Sequence, residues 1–332
     1  MSIRPRIAIS LGDIHGIGPE IVLKTFDRTD LFDFCIPVVY GSAQALRWYQ
    51  DSLGIHVPLQ DISDIREAKE GQLGVVDTGG TLNIDDIGRP TAESGRLSIA
   101  AIRAAFTSVY DGNAHALVTA PISKEAIGMA GSDFHGHTEM LASFCGCEEN
   151  VIMIMSSNTT NIGLVTTHVP LSDVTPLITT ERVVRTVRLG HRAMEDDFAI
   201  EQPRISLLAL NPHAGDGGYL GSEEEDILLP AINTLIEEGI DIDGPHAADG
   251  FFSAHNKDLY DLIIAMYHDQ GLIPFKLQAM GRGVNVTSGL PIVRTSPAHG
   301  TAFDIASHGI ASAESMKEAV YAARSIALNR MP

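Results

Sequence analysis

Short apolar runs alternate with amphipathic stretches along the whole chain. Strand-length runs fall at Arg6–Leu11, Ile36–Tyr40, Leu73–Asp77 and Ala114–Thr119, then at Ile162–Val165, Ile205–Leu210 and Leu262–Met266. Helical patterns lie between them. Pro19 opens one at a favoured first position, another begins near Ser42, and an Ala- and Arg-rich helix spans Glu93–Tyr110. Ser123 caps "KEAIGMAG", Thr180–Met194 is helical, and Ser222 with Glu225 has the spacing of a capping box for a helix reaching about Glu238. Met316–Leu328 closes the chain as a helix. Strands alternating with helices predict an α/β class with a largely parallel sheet. With 332 residues the chain suits two domains. No linker separates them, so the chain is expected to cross between domains more than once.

Three of the runs end alike. Ile162–Val165 leads to His168, Ile205–Leu210 to His213, and Leu262–Met266 to His268, with Asp269, Gln270 and Gly271 behind it. Ligands of α/β sheets bind beyond the carboxyl ends of strands. Three neutral imidazoles with an open position make a catalytic metal site, whereas closed structural sites take four protein ligands. Asp269 then serves as an orienting partner or as an acid–base group, and Gly271 is expected to turn the backbone. The competing reading is that each is a loop residue bonded to backbone, and 13 histidines in the chain leave room for that coincidence.

Composition narrows the partners. A net charge of -19 disfavours nucleic acid and anionic membranes, both of which select basic surface. An anionic metabolite therefore needs a local cluster of donors. Cys35, Cys145 and Cys147 form no disulfide framework and fit a reducing compartment. The first apolar stretch is too short for a signal peptide and no run approaches a membrane span, so a cytoplasmic location is expected.

Two segments carry candidate anion contacts. In "FHGHTEM", His137 and Thr138 sit at a helix start, where N–H groups favour anions; a plain cap by Thr138 is the alternative. In "IPFKLQAMGRGVNVTSGLPIVRTS", Lys276, Asn285 and Arg294 interrupt an apolar, Gly-rich stretch. Arg282 reads as a solvated surface residue. "LGDIHGIGPE" follows the first strand but has neither the Gly spacing of a dinucleotide fingerprint nor the Lys of a P-loop.

The ordered set "GDIHGIGPE", "GHTE", "TTHVPL", "LNPHAGDGG", "AMYHDQG", "GRGVN", "LPIVRTS" and "HGTAFDIA" resembles the PdxA family of pyridoxal phosphate biosynthesis over nearly the whole chain. The resemblance implies two α/β/α domains of the isocitrate/isopropylmalate dehydrogenase-like type, with the active site in the interdomain cleft. The boundaries are placed at 1–135 plus 280–332, with the NAD loop, and 136–279, with the metal ligands and dimer interface. It implies a homodimer with a shared active site, and metal ligands at His168, His213 and His268. Substrate contacts are implied at His137, Thr138, Lys276, Asn285 and Arg294. "HGTAFDIA" is similar to an adenosine-binding loop, which points to His299, Gly300, Thr301, Ala302 and Asp304. A carboxylate at Asp304 accepts from ribose hydroxyls and repels a 2′-phosphate, so NAD is expected over NADP.

The implied reaction is metal-dependent, NAD-linked oxidation and β-decarboxylation of 4-phosphohydroxy-L-threonine to 3-amino-2-oxopropyl phosphate. Lys276, Asp249 and Asp269 are the candidate catalytic groups. An all-imidazole set favours zinc, with cobalt, manganese and magnesium as alternatives. The first loop departs from the family's usual Pro-Ala, reading Ile14-His15, as in relatives that oxidise aromatic dihydrodiol carboxylates. The tail "HGTAFDIASHGIASAESM" looks like members acting on 4-phospho-D-threonate or 4-phospho-D-erythronate. A metallohydrolase using the same histidines, or a solute-binding protein, are the rival classes.

Overall fold

The computed structural model describes residues 3–134, 136–253 and 259–331. The chain divides into two compact units, Met1–Glu149 with Leu290–Met331, and Asn150–Gly289. The crossings thus follow Glu149 and Gly289, later than the sequence reading places them. The first unit opens with strands β1 (Arg6–Ser10), β2 (Ile36–Gly41), β3 (Leu59–Ile62), β4 (Leu73–Asp77) and β5 (Ala116–Thr119). The second contains β6 (Ile152–Ser156), β7 (Asn161–Leu164), β8 (Ile205–Leu208), β9 (Ile242–His246), β10 (Leu262–Ala265) and β11 (Val284–Ser288). The chain returns to the first unit as β12 (Arg294–Pro297).

In the first unit the strand order is β3-β4-β2-β1-β5-β12, with every neighbouring pair parallel. Ile7, Ala8 and Ile9 of β1 and Ala116, Leu117 and Val118 of β5 are fully buried. Strands covered on both faces read as continuous apolar runs rather than alternating ones, which is why the sequence shows them clearly. Thr91 and Ser94 close a reciprocal capping box on helix Ala92–Tyr110. Gly95 lets that helix touch its neighbour, since a Cβ there would meet the Ala126 carbonyl oxygen at 2.0 Å.

In the second unit the order is β11-β6-β7-β10-β8-β9. The run β7-β10-β8-β9 is parallel, but β6 pairs antiparallel with both β7 and β11. The parallel expectation therefore holds for one side of this sheet only. Two local expectations are corrected. Ser222 and Glu225 form no capping box: the helix begins with a wide turn at Glu224–Leu228, and Ser222 donates to Asp226 at 2.6 Å. Glu224 is drawn inward instead, where it accepts from the N–H groups of Leu210 and Asn211. Gly271 does not turn the chain. It lies inside helix His268–Ala279, where a Cβ would meet Ile162 Cγ2 at 2.9 Å and Ala265 Cβ at 3.0 Å. The missing side chain lets the helix sit directly on β7 and β10.

Candidate functional site

Functional side chains gather at the strand carboxyl ends of each unit. In the second unit the three histidines follow β7, β10 and β8, which are adjacent parallel strands, so all three leave the same edge. That edge is tied across its width. The Thr166 hydroxyl donates to the Met266 carbonyl at 2.7 Å, and Gln270 accepts from Met266 N–H at 2.7 Å while donating to the Ala209 carbonyl at 2.6 Å. Gln270 therefore locks the ends of β10 and β8 together.

The rings of His168 and His268 stand 5.7 Å apart, centroid to centroid, tilted by 43°. They line a cavity of about 450 Å³ with Thr167, Val169, Tyr267 and Asp269. Asp269 engages His268 Nδ1 at 2.6 Å, which orients the ring and leaves Nε2 for another partner. His213 lies in a left-handed stretch: His213 (φ 54°), Ala214 (φ 53°), Gly215 (φ 78°) and Asp216 (φ 47°). Consecutive non-glycine residues in that region carry strain of roughly 1–3 kcal/mol each, a cost that clusters at functional sites. The buried Glu224 carboxylate supports this loop through Leu210 and Asn211. Among the described residues, however, no group of three or more His, Cys, Asp or Glu side chains is drawn together tightly enough to hold a metal ion. His168 and His268 are paired, and His213 is not closed onto them.

The other expected groups of this unit are more dispersed. Asp249 is exposed, three residues past the end of β9, on the same sheet edge. Lys276 is exposed on helix His268–Ala279, about 12 Å along the axis from His268 at the standard helical rise. Asn285 on β11 has a buried Oδ1 without a hydrogen-bond partner among the described residues.

The first unit brings its expected residues closer together. Arg294 is 2 % exposed and donates to Thr119 Oγ1 at 2.8 Å. Burial pulls its pKa down to about 9. His137 is the first residue of helix His137–Cys145, whose cap is Gly136 rather than Thr138. Burial first, then the charge of Arg294, hold its ring well below the ordinary histidine pKa, against a hydrogen bond to the Ala120 backbone. Its Nε2 is sealed from solvent without a partner among the described residues. A buried guanidinium and the N–H groups of a helix start in one place are groups that can hold an anion.

The loop after β12 packs on the loop after β1. Ile17 N–H donates to the Thr301 carbonyl at 3.0 Å, and a Cβ at Gly16 would meet that same oxygen at 2.8 Å. Ala302 is left-handed (φ 41°), Asp304 is exposed, and His299 Nδ1 lies 3.1 Å from the Gly300 carbonyl. The His299 Nε2 is buried and unpartnered among the described residues; with Nδ1 donating to the Gly300 carbonyl, it is an orphan acceptor that suits the amino edge of a base. Asp13, which the sequence reading passes over, is fully buried and accepts from His15 N–H at 2.9 Å and Ser94 Oγ at 3.0 Å. The Gly-Asp beginning a glycine-rich turn was the available signal.

Comparison with known proteins bears on both halves. The sequence model of the family described as "Pyridoxal phosphate biosynthetic protein PdxA" matches residues 33–323. A 4-hydroxythreonine-4-phosphate dehydrogenase of Prosthecochloris aestuarii is 45% identical over 332 residues, covering 98% of this chain and 98% of that protein. A relative in Oceanobacillus iheyensis, provisionally named D-threonate 4-phosphate dehydrogenase, is 38% identical, covering 98% of this chain and 99% of its own. The crystal structure of a Klebsiella pneumoniae 4-hydroxythreonine-4-phosphate dehydrogenase superposes with a TM-score of 0.86 at 34% identity, covering 98% and 99% of the two chains.

Proposed function

Because this chain belongs to the PdxA family, we propose that it is an NAD-dependent, metal-requiring dehydrogenase that oxidises and decarboxylates 4-phosphohydroxy-L-threonine. The observation that carries the reading is the 45% identity to a 4-hydroxythreonine-4-phosphate dehydrogenase over essentially the full length of both proteins. The donor chemistry supports it: three imidazoles leave one edge of adjacent parallel strands, and two already face a common cavity. We assign His168, His213 and His268 as the ligands of a divalent ion, zinc first, with cobalt, manganese or magnesium as alternatives. When bound, that ion supplies Lewis acidity at the substrate C3 oxygen, and NAD supplies the hydride acceptor.

The chain's own residues bind, orient and move protons. Arg294, His137 and Thr138 grip the phosphate, a remote anchor whose binding energy positions C3. Asn285 and Lys276 complete the substrate contacts. Lys276 or Asp249 takes the C3 hydroxyl proton as C3–H leaves with its electron pair, and Asp269 keeps the His268 ring in register. The C3 ketone is then β to the C1 carboxylate, which departs as CO2. Reprotonation at C2 yields 3-amino-2-oxopropyl phosphate. His299, Gly300, Thr301 and Ala302 receive the adenosine portion of NAD, and Asp304 selects against a 2′-phosphate. Exposed Leu171 (73%), Ile273 (58%), Leu277 (75%) and Met280 (85%) give the second unit the apolar surface a second copy would cover.

The second reading, oxidation of 4-phospho-D-threonate or 4-phospho-D-erythronate, is favoured by the Oceanobacillus relative. Those acids differ from the first substrate chiefly at C2. An aromatic dihydrodiol carboxylate, suggested by His15, is third. NADH formation is followed with each compound, before and after chelation and metal readdition. Turnover of the phosphothreonine alone supports the first reading, and turnover of a phosphorylated hydroxy acid alone supports the second. Chelator-insensitive turnover removes the metal, and silence with every compound removes the dehydrogenase reading. Light scattering that finds one chain per particle removes the homodimer.

A further inference from the structure

The first unit contains a buried histidine that none of the roles above uses. His15 is 2 % exposed and lies in the turn between β1 and helix Gly18–Phe26. Its main-chain N–H donates to the buried Asp13 carboxylate at 2.9 Å, and its carbonyl accepts from Gly88 N–H at 2.9 Å. Its ring Nδ1 stands 3.4 Å from Thr91 Oγ1 and the ring also bonds the Arg89 backbone. Thr91 caps helix Ala92–Tyr110, and Ser94 of the same capping box donates to Asp13. His15 is thus bonded on one side to the 13–17 turn and on the other to segment 86–91. Both touch the 299–304 loop: Ile17 N–H bonds the Thr301 carbonyl, and Gly88 approaches the Phe303 carbonyl so closely that a Cβ would stand 3.1 Å from it.

We propose that His15 is a positioning residue: it clamps segment 86–91 onto the 13–17 turn, and the two together set the 299–304 loop in the conformation that receives the nicotinamide cofactor. The proposal rests on the NAD reading for its consequence, though not for the clamp itself. A phenylalanine would fill the same space without the hydrogen bonds, whereas an asparagine amide reaches the position of Nδ1. Those two replacements separate bonding from packing.

The test measures hydrogen exchange of the ligand-free protein and KM for NAD and for the phosphorylated substrate, in wild type, His15→Ala, His15→Phe and His15→Asn. With Ala and Phe, exchange in 86–91 and 299–304 accelerates together. KM for NAD rises about tenfold, the scale of one buried hydrogen bond, while KM for the substrate does not rise with it. Asn recovers most of both. Unchanged exchange in either segment, full recovery by Phe, or equal rises in the two KM values would overturn the clamp. If wild type binds no NAD by calorimetry, the cofactor reading falls, and exchange alone still decides whether His15 clamps the two segments.

Discussion

The carboxyl edges of the two units solve the same problem differently. In the first unit Arg294 and the residues that shape the neighbouring turn are inside the protein: Arg294 and His15 are 2 % exposed and Asp13 is fully buried, each with named partners, while Asp304 alone of the charged candidates is exposed. In the second unit the candidate chemical groups face outward: Asp249 and Lys276 are exposed, and the side chain of Asp269 is 70 % accessible. Burial with satisfied hydrogen bonds fixes geometry before any ligand arrives, at the cost of coupling the site to folding. Exposure leaves groups able to move, so their alignment draws on binding energy. On the proposed assignment, recognition is built into the fold in one unit and chemistry is left adjustable in the other.

The sharpest way to break this contrast is to remove the outward groups. Lys276→Ala and Asp249→Asn are expected to lower turnover by about a hundredfold to ten-thousandfold, the usual yield of a positioned acid or base. Their thermal midpoints should stay close to wild type, because neither side chain is buried. Steady-state NADH formation beside a melting curve checks both, and a large fall in melting temperature without loss of turnover would reverse the assignment. Next in size, His168→Ala and His268→Ala should weaken zinc binding at least about a hundredfold, since even outer partners of metal ligands cost up to that much. Calorimetric titration reads this directly.

Changes in the first unit should move affinity and stability together. Arg294→Lys is expected to raise KM for the phosphorylated substrate about tenfold, because an ammonium cannot reproduce a bidentate fork, and to cost roughly 1–3 kcal/mol in unfolding free energy. Denaturant titration and kinetics on one preparation test the coupling. The smallest effect concerns Asp13. Burial raises its carboxyl above the usual 3.8, outweighing the His15 N–H and Ser94 bonds. The folded state therefore binds this proton more tightly than the unfolded state. Stability falls as pH rises from about 3.8 through the raised folded value. Asp13→Asn should flatten that slope in unfolding midpoints across the acid range, and an unchanged slope would locate the titration elsewhere.

Much of this was legible in the chain. Runs such as Ile7–Ile9 and Leu262–Ala265 announce strands because they are buried on both faces. Histidines directly after three such runs announce a shared edge, since successive parallel strands present their carboxyl ends together. β12 escaped because "RTSP" is a buried strand made of polar residues, and β9 because "IDGPH" has the residues of a turn. β6 runs opposite to both of its neighbours, β7 and β11, which no local period records.

What the sequence by itself determined was the α/β alternation, the roster of chemical groups and their order along the edge, because propensity and burial periodicity act over a few neighbouring residues. Only the tertiary structure decided that Arg294 would be buried beside Thr119, 175 positions away in sequence, with His137 close by. It also decided that Gly271 would admit a helix rather than turn the chain, and that His15 would bond Gly88 and Thr91, remote from it in sequence. Those outcomes depend on desolvation and close packing between elements remote in sequence, and such contacts exist only once the sheet has assembled.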